Sequence, residues 1–195
     1  MKVINKKIIF AHCFSCALTL LMFLTFFFSP QNVSSQVSQE ASRLLRIARI
    51  QVLGQQIDPH EFNLQLLNGG NVSLANYTGK VIILNFWATW CPPCLAEMPS
   101  MELLYQRYKS AGLEILAVNI RERYDTVNLF IQNKKHTFPV PLDINGSVSS
   151  TYGIEAIPTS FIIDRRGKII GKLIGSIQWD TPQVLAAFEA LLNSR

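Results

Sequence analysis

The chain has 195 residues and a net charge of +5, with 49% hydrophobic and 16% charged residues. This length and composition predict one ordinary domain with an additional segment, and they exclude a disordered or collagen-like chain. The excess positive charge lies in residues 1–50, whereas residues 51–195 hold 12 basic and 12 acidic residues. A balanced domain has no surplus of positive charge for a phosphate backbone, so nucleic-acid binding is not expected.

The N-terminal residues have the pattern of an export signal or a membrane anchor. Three lysines precede residues 8–28, a stretch of 21 residues without charge. A membrane-spanning helix needs about 20 apolar residues and a cleavable signal has a core of about 7 to 15, so the length favours an anchor. Cleavage near residues 33–35 is the alternative. We therefore predict a signal-anchor or signal segment over residues 1–30, with the rest of the chain outside the cytoplasm. Cys13 and Cys16 lie within the apolar stretch and are interpreted as small apolar side chains.

Residues 31–53 are predicted to be a linker between the membrane and the domain. Their first part is rich in Gln, Ser and Val, which is typical of a spacer. Residues 40–53 then place aliphatic side chains among Arg43, Arg46 and Arg49. This pattern fits a short amphipathic helix lying on anionic lipid, and it fits a solvated linker helix equally well.

From Gly54 onwards, strand-like and helix-like blocks alternate. An Asn-Gly-Gly turn at residues 68–70 predicts a β-hairpin, because Asn and Gly tolerate positive φ angles. Two apolar runs at residues 81–86 and 113–120 predict buried strands, with a helix between them over residues 92–109.

The second half of the domain continues the alternation. A helix capped by Asp125 is predicted next, and residues 140–142, which prolines flank, are at best an edge or insertion strand. A second hairpin at residues 160–174 and a helix beginning at Thr181 complete the domain. The fold class is therefore α/β: a mixed sheet flanked by helices, with an N-terminal β-hairpin and a central α/β insertion, over residues 54–195.

The sequence Cys91-Pro92-Pro93-Cys94 lies where a buried strand meets a helix. The first turn of a helix stabilises a thiolate, so Cys91 is predicted to be the nucleophile of disulfide exchange. Cys94, one turn further along, can then attack the mixed disulfide that Cys91 forms. Pro92 and Pro93 favour the helical backbone but offer neither an N–H group nor a polar side chain.

An inert disulfide, half of a zinc site and a haem attachment site are the alternatives for this motif. Zinc needs two further ligands, and His60 and His136 lack metal-type spacing. A c-type haem motif needs His after the second Cys, where this chain has Leu95. We therefore expect no metal and no cofactor other than a redox-active disulfide.

Two segments resemble the thioredoxin superfamily and, within it, the membrane-anchored thiol-disulfide oxidoreductases of the TlpA and ResA type. They are N-F-W-A-T-W-C-P-P-C-L-A-E-M-P at residues 85–99 and G-I-E-A-I-P-T-S-F-I-I-D at residues 153–164. The resemblance implies a thioredoxin-like fold. It also implies that Pro158 follows a cis peptide bond and that Ile157 offers its backbone to a substrate strand beside Cys91. Trp90 is expected to belong to an apolar docking surface.

The resemblance also assigns roles to two polar residues. Glu97 matches an acidic residue of the ResA-like group, which implies that it accepts or relays the proton of Cys94. A solvated helix carboxylate is the alternative for Glu97. Asn85 occupies the position where thioredoxin has a buried aspartate. Because Asn cannot take up a proton, Glu97 or water must do so.

The resemblance implies an enzyme at the extracytoplasmic face of the bacterial inner membrane that reduces disulfides of exported proteins. In the resembling family the partner is often apocytochrome c, and electrons arrive from a membrane thiol carrier. A periplasmic or secreted protein is the alternative location. A disulfide donor, a thiol peroxidase and a copper chaperone are the alternative functions. Strong oxidants place a histidine or similar group between the cysteines, which Pro92 and Pro93 do not provide.

Overall fold

The computed structural model describes residues 30–194. The predicted signal or anchor segment, with Cys13 and Cys16, lies outside these residues except for Pro30. Within the described part, no helix is long and apolar enough to span a bilayer. The elements in chain order are α1 (Pro30–Ile47), β1 (Gln51–Ile57), β2 (Leu64–Leu66), β3 (Asn71–Val72), β4 (Val81–Trp87), α2 (Pro92–Tyr108), β5 (Leu113–Ile120), α3 (Tyr124–Lys134), β6 (Pro141–Asp143), α4 (Ser147–Thr151), β7 (Thr159–Ile163), β8 (Ile169–Ile174) and α5 (Pro182–Asn193).

The eight strands form one mixed sheet in the order β1-β8-β7-β4-β5-β6-β2-β3. Strand β4 is central: it pairs in parallel with β5 and antiparallel with β7. Every residue of β4 is buried, because a hydrophobic cluster covers each face of the sheet. The apolar run at residues 81–86, which only Asn85 interrupts, predicted this burial. The mixed sheet with its flanking helices confirms the predicted α/β class.

Both predicted hairpins are present. Strands β2 and β3 pair antiparallel around Gly69 and Gly70, which both have positive φ angles. Strands β7 and β8 form the second antiparallel pair.

The sequence predicts at best an edge or insertion strand at residues 140–142. The edge position is wrong. Strand β6 lies inside the sheet, parallel to β5 on one side and antiparallel to β2 on the other. The N-terminal hairpin folds back onto β6 and covers its free edge. All three residues of β6 are therefore buried.

The linker prediction for residues 31–53 is wrong over residues 41–53. Helix α1 packs against α5, and β1 pairs with β8 at the edge of the sheet. The side chains that α1 and the following turn contribute to the core are buried: Ala41, Leu45, Ala48 and Ile50. The aliphatic residues of this segment thus face α5 and the sheet instead of lipid, and the domain begins within α1.

Candidate active site

A disulfide joins Cys91 and Cys94 at the start of α2, with 5.3 Å between their Cα atoms. Cys91 is the N-cap residue, and its Sγ accepts a hydrogen bond of 3.3 Å from the Cys94 N–H. Pro92 and Pro93 occupy the first helical positions, where an N–H has no acceptor within the helix. The Cys94 N–H, which donates to the Cys91 sulfur, and the positive end of the helix therefore both act on that sulfur, an arrangement that favours a thiolate.

The two sulfurs differ in their accessibility. Cys91 is 4% exposed and Cys94 is fully buried, whereas the neighbouring Trp90 is 65% exposed. The Ile157–Pro158 peptide bond is cis, and the Ile157 carbonyl oxygen lies 3.7 Å from Cys91 Sγ. The structure thus brings Trp90, Cys91 and the Ile157 backbone together at one surface.

A groove of about 220 Å³ lies beside this surface. Its walls include Trp90 and Ile157, together with Ile120, Arg121, Ile154 and Glu155. Because the walls combine apolar side chains with charges of both signs, the groove suits a polypeptide segment better than a small apolar ligand.

Glu97 lies inside the protein, at 1% exposure. Its Oε1 accepts a hydrogen bond from Asn85 Nδ2 at 3.0 Å, while Oε2 accepts from Trp179 Nε1 at 3.0 Å and from the Ile177 N–H at 3.4 Å. Burial raises the pKa of Glu97 to about 7, against the lowering effect of these hydrogen bonds. The alternative of a solvated carboxylate is therefore wrong.

The position of Glu97 gives its carboxyl group a chemical use. Glu97 and Cys94 are three residues apart on α2, so both side chains lie on the same side of the helix and both are buried. A carboxyl group with a pKa near neutrality can take up and release a proton under ordinary conditions. The arrangement can therefore support proton transfer at Cys94.

Asn85 lies on β4 beneath the active-site helix and is buried. Besides its bond to Glu97, Nδ2 donates to Ser160 Oγ at 2.9 Å. Asn85 Oδ1 has no hydrogen-bond partner among residues 30–194. The amide thus links Glu97 on α2 to Ser160 on β7.

Sequence reasoning missed the residues that surround Glu97 from the C-terminal half of the chain. The backbone N–H of Trp179 donates to Ser100 Oγ at 3.0 Å, and the Ser100 hydroxyl donates to the backbone carbonyl oxygen of Glu97 at 2.7 Å. Trp179 is fully buried although it lies in the polar loop between β8 and α5. A large aromatic residue in such a loop was the only available signal.

A second carboxylate, also missed, holds the loop that leads into Cys91. Glu122 accepts hydrogen bonds from the Thr89 N–H at 2.7 Å, from the Thr89 hydroxyl at 2.5 Å and from Asn119 Nδ2 at 2.7 Å. These bonds fasten the loop to the end of β5. Trp87, the last residue of β4, is a core residue whose Nε1 donates to the Ala117 carbonyl.

The histidines considered as metal ligands are both engaged with aromatic rings. His60 contacts Tyr152 edge-on and His136 stacks on Phe138. Within residues 30–194, no group of three or more His, Cys, Asp or Glu side chains is arranged to hold a metal ion.

A profile of the AhpC/TSA family matches residues 54–172. The chain belongs to the AhpC/TSA family. A relative in this family, the thiol-disulfide oxidoreductase ResA of Bacillus thuringiensis subsp. konkukian, is 43% identical over 109 residues. That match covers 56% of this chain and 63% of the relative, so the chain spans less than two thirds of the relative's length. The protein of the same name from Halalkalibacterium halodurans is 40% identical over 132 residues, covering 68% of this chain and 73% of the relative.

This AhpC/TSA family member is also similar to solved structures. A putative thiol:disulfide interchange protein DsbE from Chlorobium tepidum matches with a TM-score of 0.67 and 32% identity, covering 72% of this chain and 99% of that structure. StoA from Bacillus subtilis matches with a TM-score of 0.57 and 32% identity, covering 65% and 96%. These similarities confirm the resemblance to the thioredoxin superfamily and the thioredoxin-like fold.

Proposed function

We propose that this chain is a thiol-disulfide oxidoreductase that reduces disulfide bonds of exported proteins through Cys91 and Cys94. One observation carries the proposal: the disulfide at the start of α2 has the Ile157 carbonyl oxygen 3.7 Å from Cys91 Sγ, and the buried Glu97 lies three residues after the buried Cys94 on the same helix. The similarity to proteins named thiol-disulfide oxidoreductase supports the same chemistry.

The reaction begins with the reduced protein. The Cys91 thiolate attacks one sulfur of a substrate disulfide, forms a mixed disulfide and releases the other substrate sulfur as a thiolate. Cys91 takes this step because it is the more accessible sulfur and the one that the Cys94 N–H stabilises. The Ile157 backbone, beside Cys91, aligns the substrate chain.

The second step belongs to Cys94 and Glu97. The Glu97 carboxylate accepts the Cys94 proton, and the resulting thiolate attacks the Cys91 sulfur. The substrate then leaves with both of its sulfurs reduced, and the Cys91–Cys94 disulfide forms again. Two electrons from a membrane thiol carrier are needed to restore the reduced protein.

The reducing direction follows from the residues between the two cysteines. A strong oxidant stabilises its reduced form with a group placed between them, such as histidine. Pro92 and Pro93 provide neither a charge nor a hydrogen-bond donor, so stabilisation of the Cys91 thiolate depends on Cys94 N–H and the helix.

The proposed location and partner rest on the sequence and the resemblance. The uncharged stretch at residues 8–28 supports an N-terminal membrane anchor that holds the domain outside the cytoplasm. Apocytochrome c, whose two haem-attachment thiols must be free, is the proposed substrate.

Trapping in cells tests this function. Full-length Cys94→Ser should accumulate mixed disulfides with its substrates on Cys91, because resolution is blocked. Cys91→Ser is the matched control and should trap none. A Cys91→Ser strain should also lose its c-type cytochromes and regain them when a thiol reductant is added. Equal trapping by both variants would overturn the assigned roles, and normal cytochromes in the Cys91→Ser strain would overturn the proposed partner.

A further inference from the structure

The buried carboxamide of Asn85 uses only one of its two ends. Nδ2 donates to Glu97 Oε1 at 3.0 Å and to Ser160 Oγ at 2.9 Å. Oδ1 is enclosed and has no partner within the described part of the chain. Because buried polar atoms are nearly always paired, an unpaired acceptor on an otherwise engaged side chain calls for a reason.

The surroundings of Glu97 fit only one of its two protonation states. Asn85 Nδ2, Trp179 Nε1 and the Ile177 N–H all donate to the carboxylate. A protonated Glu97 carries a hydrogen that itself needs an acceptor. On the Oε1 side this hydrogen meets an amide that is also donating, although the same amide holds an unpaired acceptor at its other end.

We propose that the Asn85 carboxamide turns over when Glu97 takes up a proton, so that Asn85 Oδ1 accepts the hydrogen bond of the Glu97 carboxylic acid. A half-turn about the last side-chain torsion exchanges the positions of Nδ2 and Oδ1 without moving the backbone. Ser160 Oγ, which accepts a hydrogen bond in the present orientation, then donates its hydroxyl hydrogen to the same Oδ1. Two hydrogen bonds are present in each orientation, and the unpaired end changes from Oδ1 to Nδ2.

This makes Asn85 a positioning residue that is matched to both states of Glu97. The two titratable groups of the active-site motif, Cys91 and Cys94, do not titrate while they are joined. Burial and three hydrogen-bond donors set the pKa of Glu97, and no charged group among the described residues contributes to it. The amide is therefore the polar partner best able to respond to the proton. Its use during turnover rests on the proposed function, whereas the turning itself does not.

Nuclear magnetic resonance of the oxidised full-length protein in detergent micelles, with 15N- and 13C-labelled Asn, Ser and Glu, tests the proposal. The Glu97 carboxyl signal reports its protonation as the pH is varied. Contact between the Asn85 amide hydrogens and the Ser160 β-hydrogens, read from their cross-peaks, reports the orientation. We expect these cross-peaks above the Glu97 midpoint and their loss below it. Cross-peaks that persist through the midpoint, or a Glu97 signal that does not titrate, would overturn the proposal.

Two comparisons separate turning from a mere electrostatic effect. In Glu97→Gln, Trp179 Nε1 and the Ile177 N–H hold the oxygen of the new amide, which places its NH2 group opposite Asn85 at every pH. The Ser160 cross-peaks should therefore be absent throughout, and their presence at any pH contradicts the proposal.

The amide of Asn119 is the internal control, because its Oδ1 is also buried and unpaired among the described residues while its Nδ2 donates to Glu122 and not to Glu97. The cross-peaks between its amide hydrogens and the Glu122 side chain should persist across the Glu97 midpoint. No substrate is present in the resonance experiment. If the Asn85 amide does not turn but Cys94→Ser still traps substrates, only the proposed turning is wrong. If the amide turns but Cys94→Ser traps no substrate, only the proposed function is wrong.

Discussion

Trp179 Nε1 donates a hydrogen bond to Glu97 Oε2 over 3.0 Å, which joins two residues 82 positions apart in sequence. The indole comes from the loop between β8 and α5, and the carboxylate comes from the active-site helix. The C-terminal part of the domain therefore contributes directly to the electrostatic environment of the residue that is proposed to move the proton of Cys94.

Replacing Trp179 with Phe should raise the pKa of Glu97 above its value of about 7, because a hydrogen bond that favours the carboxylate is lost. The Glu97 carboxyl signal in a pH titration measures this change. Trp87→Phe is the matched control, since that indole is equally buried but donates to the Ala117 carbonyl. Each variant should lose about 1–3 kcal/mol of stability, and only Trp179→Phe should move the midpoint. An equal shift in both variants would contradict this role of Trp179.

Glu97 should make the protein less stable as the pH rises. Its pKa is raised from 4.5 to about 7 on folding, so the folded state binds this proton more tightly than the unfolded chain does. The contribution to stability is therefore greatest below the unfolded value and is lost progressively up to about pH 7, by about 3 kcal/mol.

Glu97→Gln should remove this part of the pH dependence. Denaturant unfolding of the oxidised proteins at about pH 5 and about pH 8 gives the comparison, because the other titrating groups are common to both proteins. The wild type should lose more stability than Glu97→Gln over this interval. Parallel losses would show that the carboxyl group is not perturbed.

Local patterns predicted most elements of this fold, although not β1, and they predicted the residues of the motif itself. The apolar runs of β4 and β5 and the Cys91-to-Cys94 spacing lie within short stretches of sequence. The residues that surround Glu97 do not lie within one short stretch. Ser160 reaches Asn85, for example, because β7 pairs with β4 in a register that sets these two residues opposite each other. Tertiary pairing of this kind leaves no local trace. For α1, aliphatic residues among arginines fit a lipid surface and the surface of α5 equally well, and only the folded domain distinguishes them.

The carboxylate of Glu122 should control the order of the loop before Cys91. Glu122→Ala removes the acceptor for the Thr89 N–H, the Thr89 hydroxyl and Asn119 Nδ2, which should cost about 1–3 kcal/mol. Amide hydrogen exchange at residues 89 and 90 should become faster.

Glu102→Ala is the matched control for Glu122→Ala. Glu102 also accepts three hydrogen bonds, from the Thr137 N–H, the Thr137 hydroxyl and Gln106 Nε2, but it holds the loop before β6 instead. Its removal should leave exchange at residues 89 and 90 unchanged. Faster exchange there in both variants would mean that the loop responds to global stability alone.

Helix α1 should contribute to the stability of the domain. Leu45 is fully buried, so Leu45→Ala should lower the free energy of unfolding by about 2–5 kcal/mol. Ile47, two residues away on the same helix, is 50% exposed, and Ile47→Ala should change stability by less than about 1 kcal/mol. Denaturant unfolding of the two variants measures the difference. Similar small effects at both positions would restore the interpretation of this segment as a linker.

The reduction potential of the Cys91–Cys94 pair distinguishes a reductant from a disulfide donor. The full-length protein in detergent is equilibrated with glutathione or dithiothreitol buffers, and the fraction of the disulfide is measured. We predict a potential at or below about −230 mV, towards the value of thioredoxin. A potential near about −120 mV would identify a disulfide donor and contradict the proposed function.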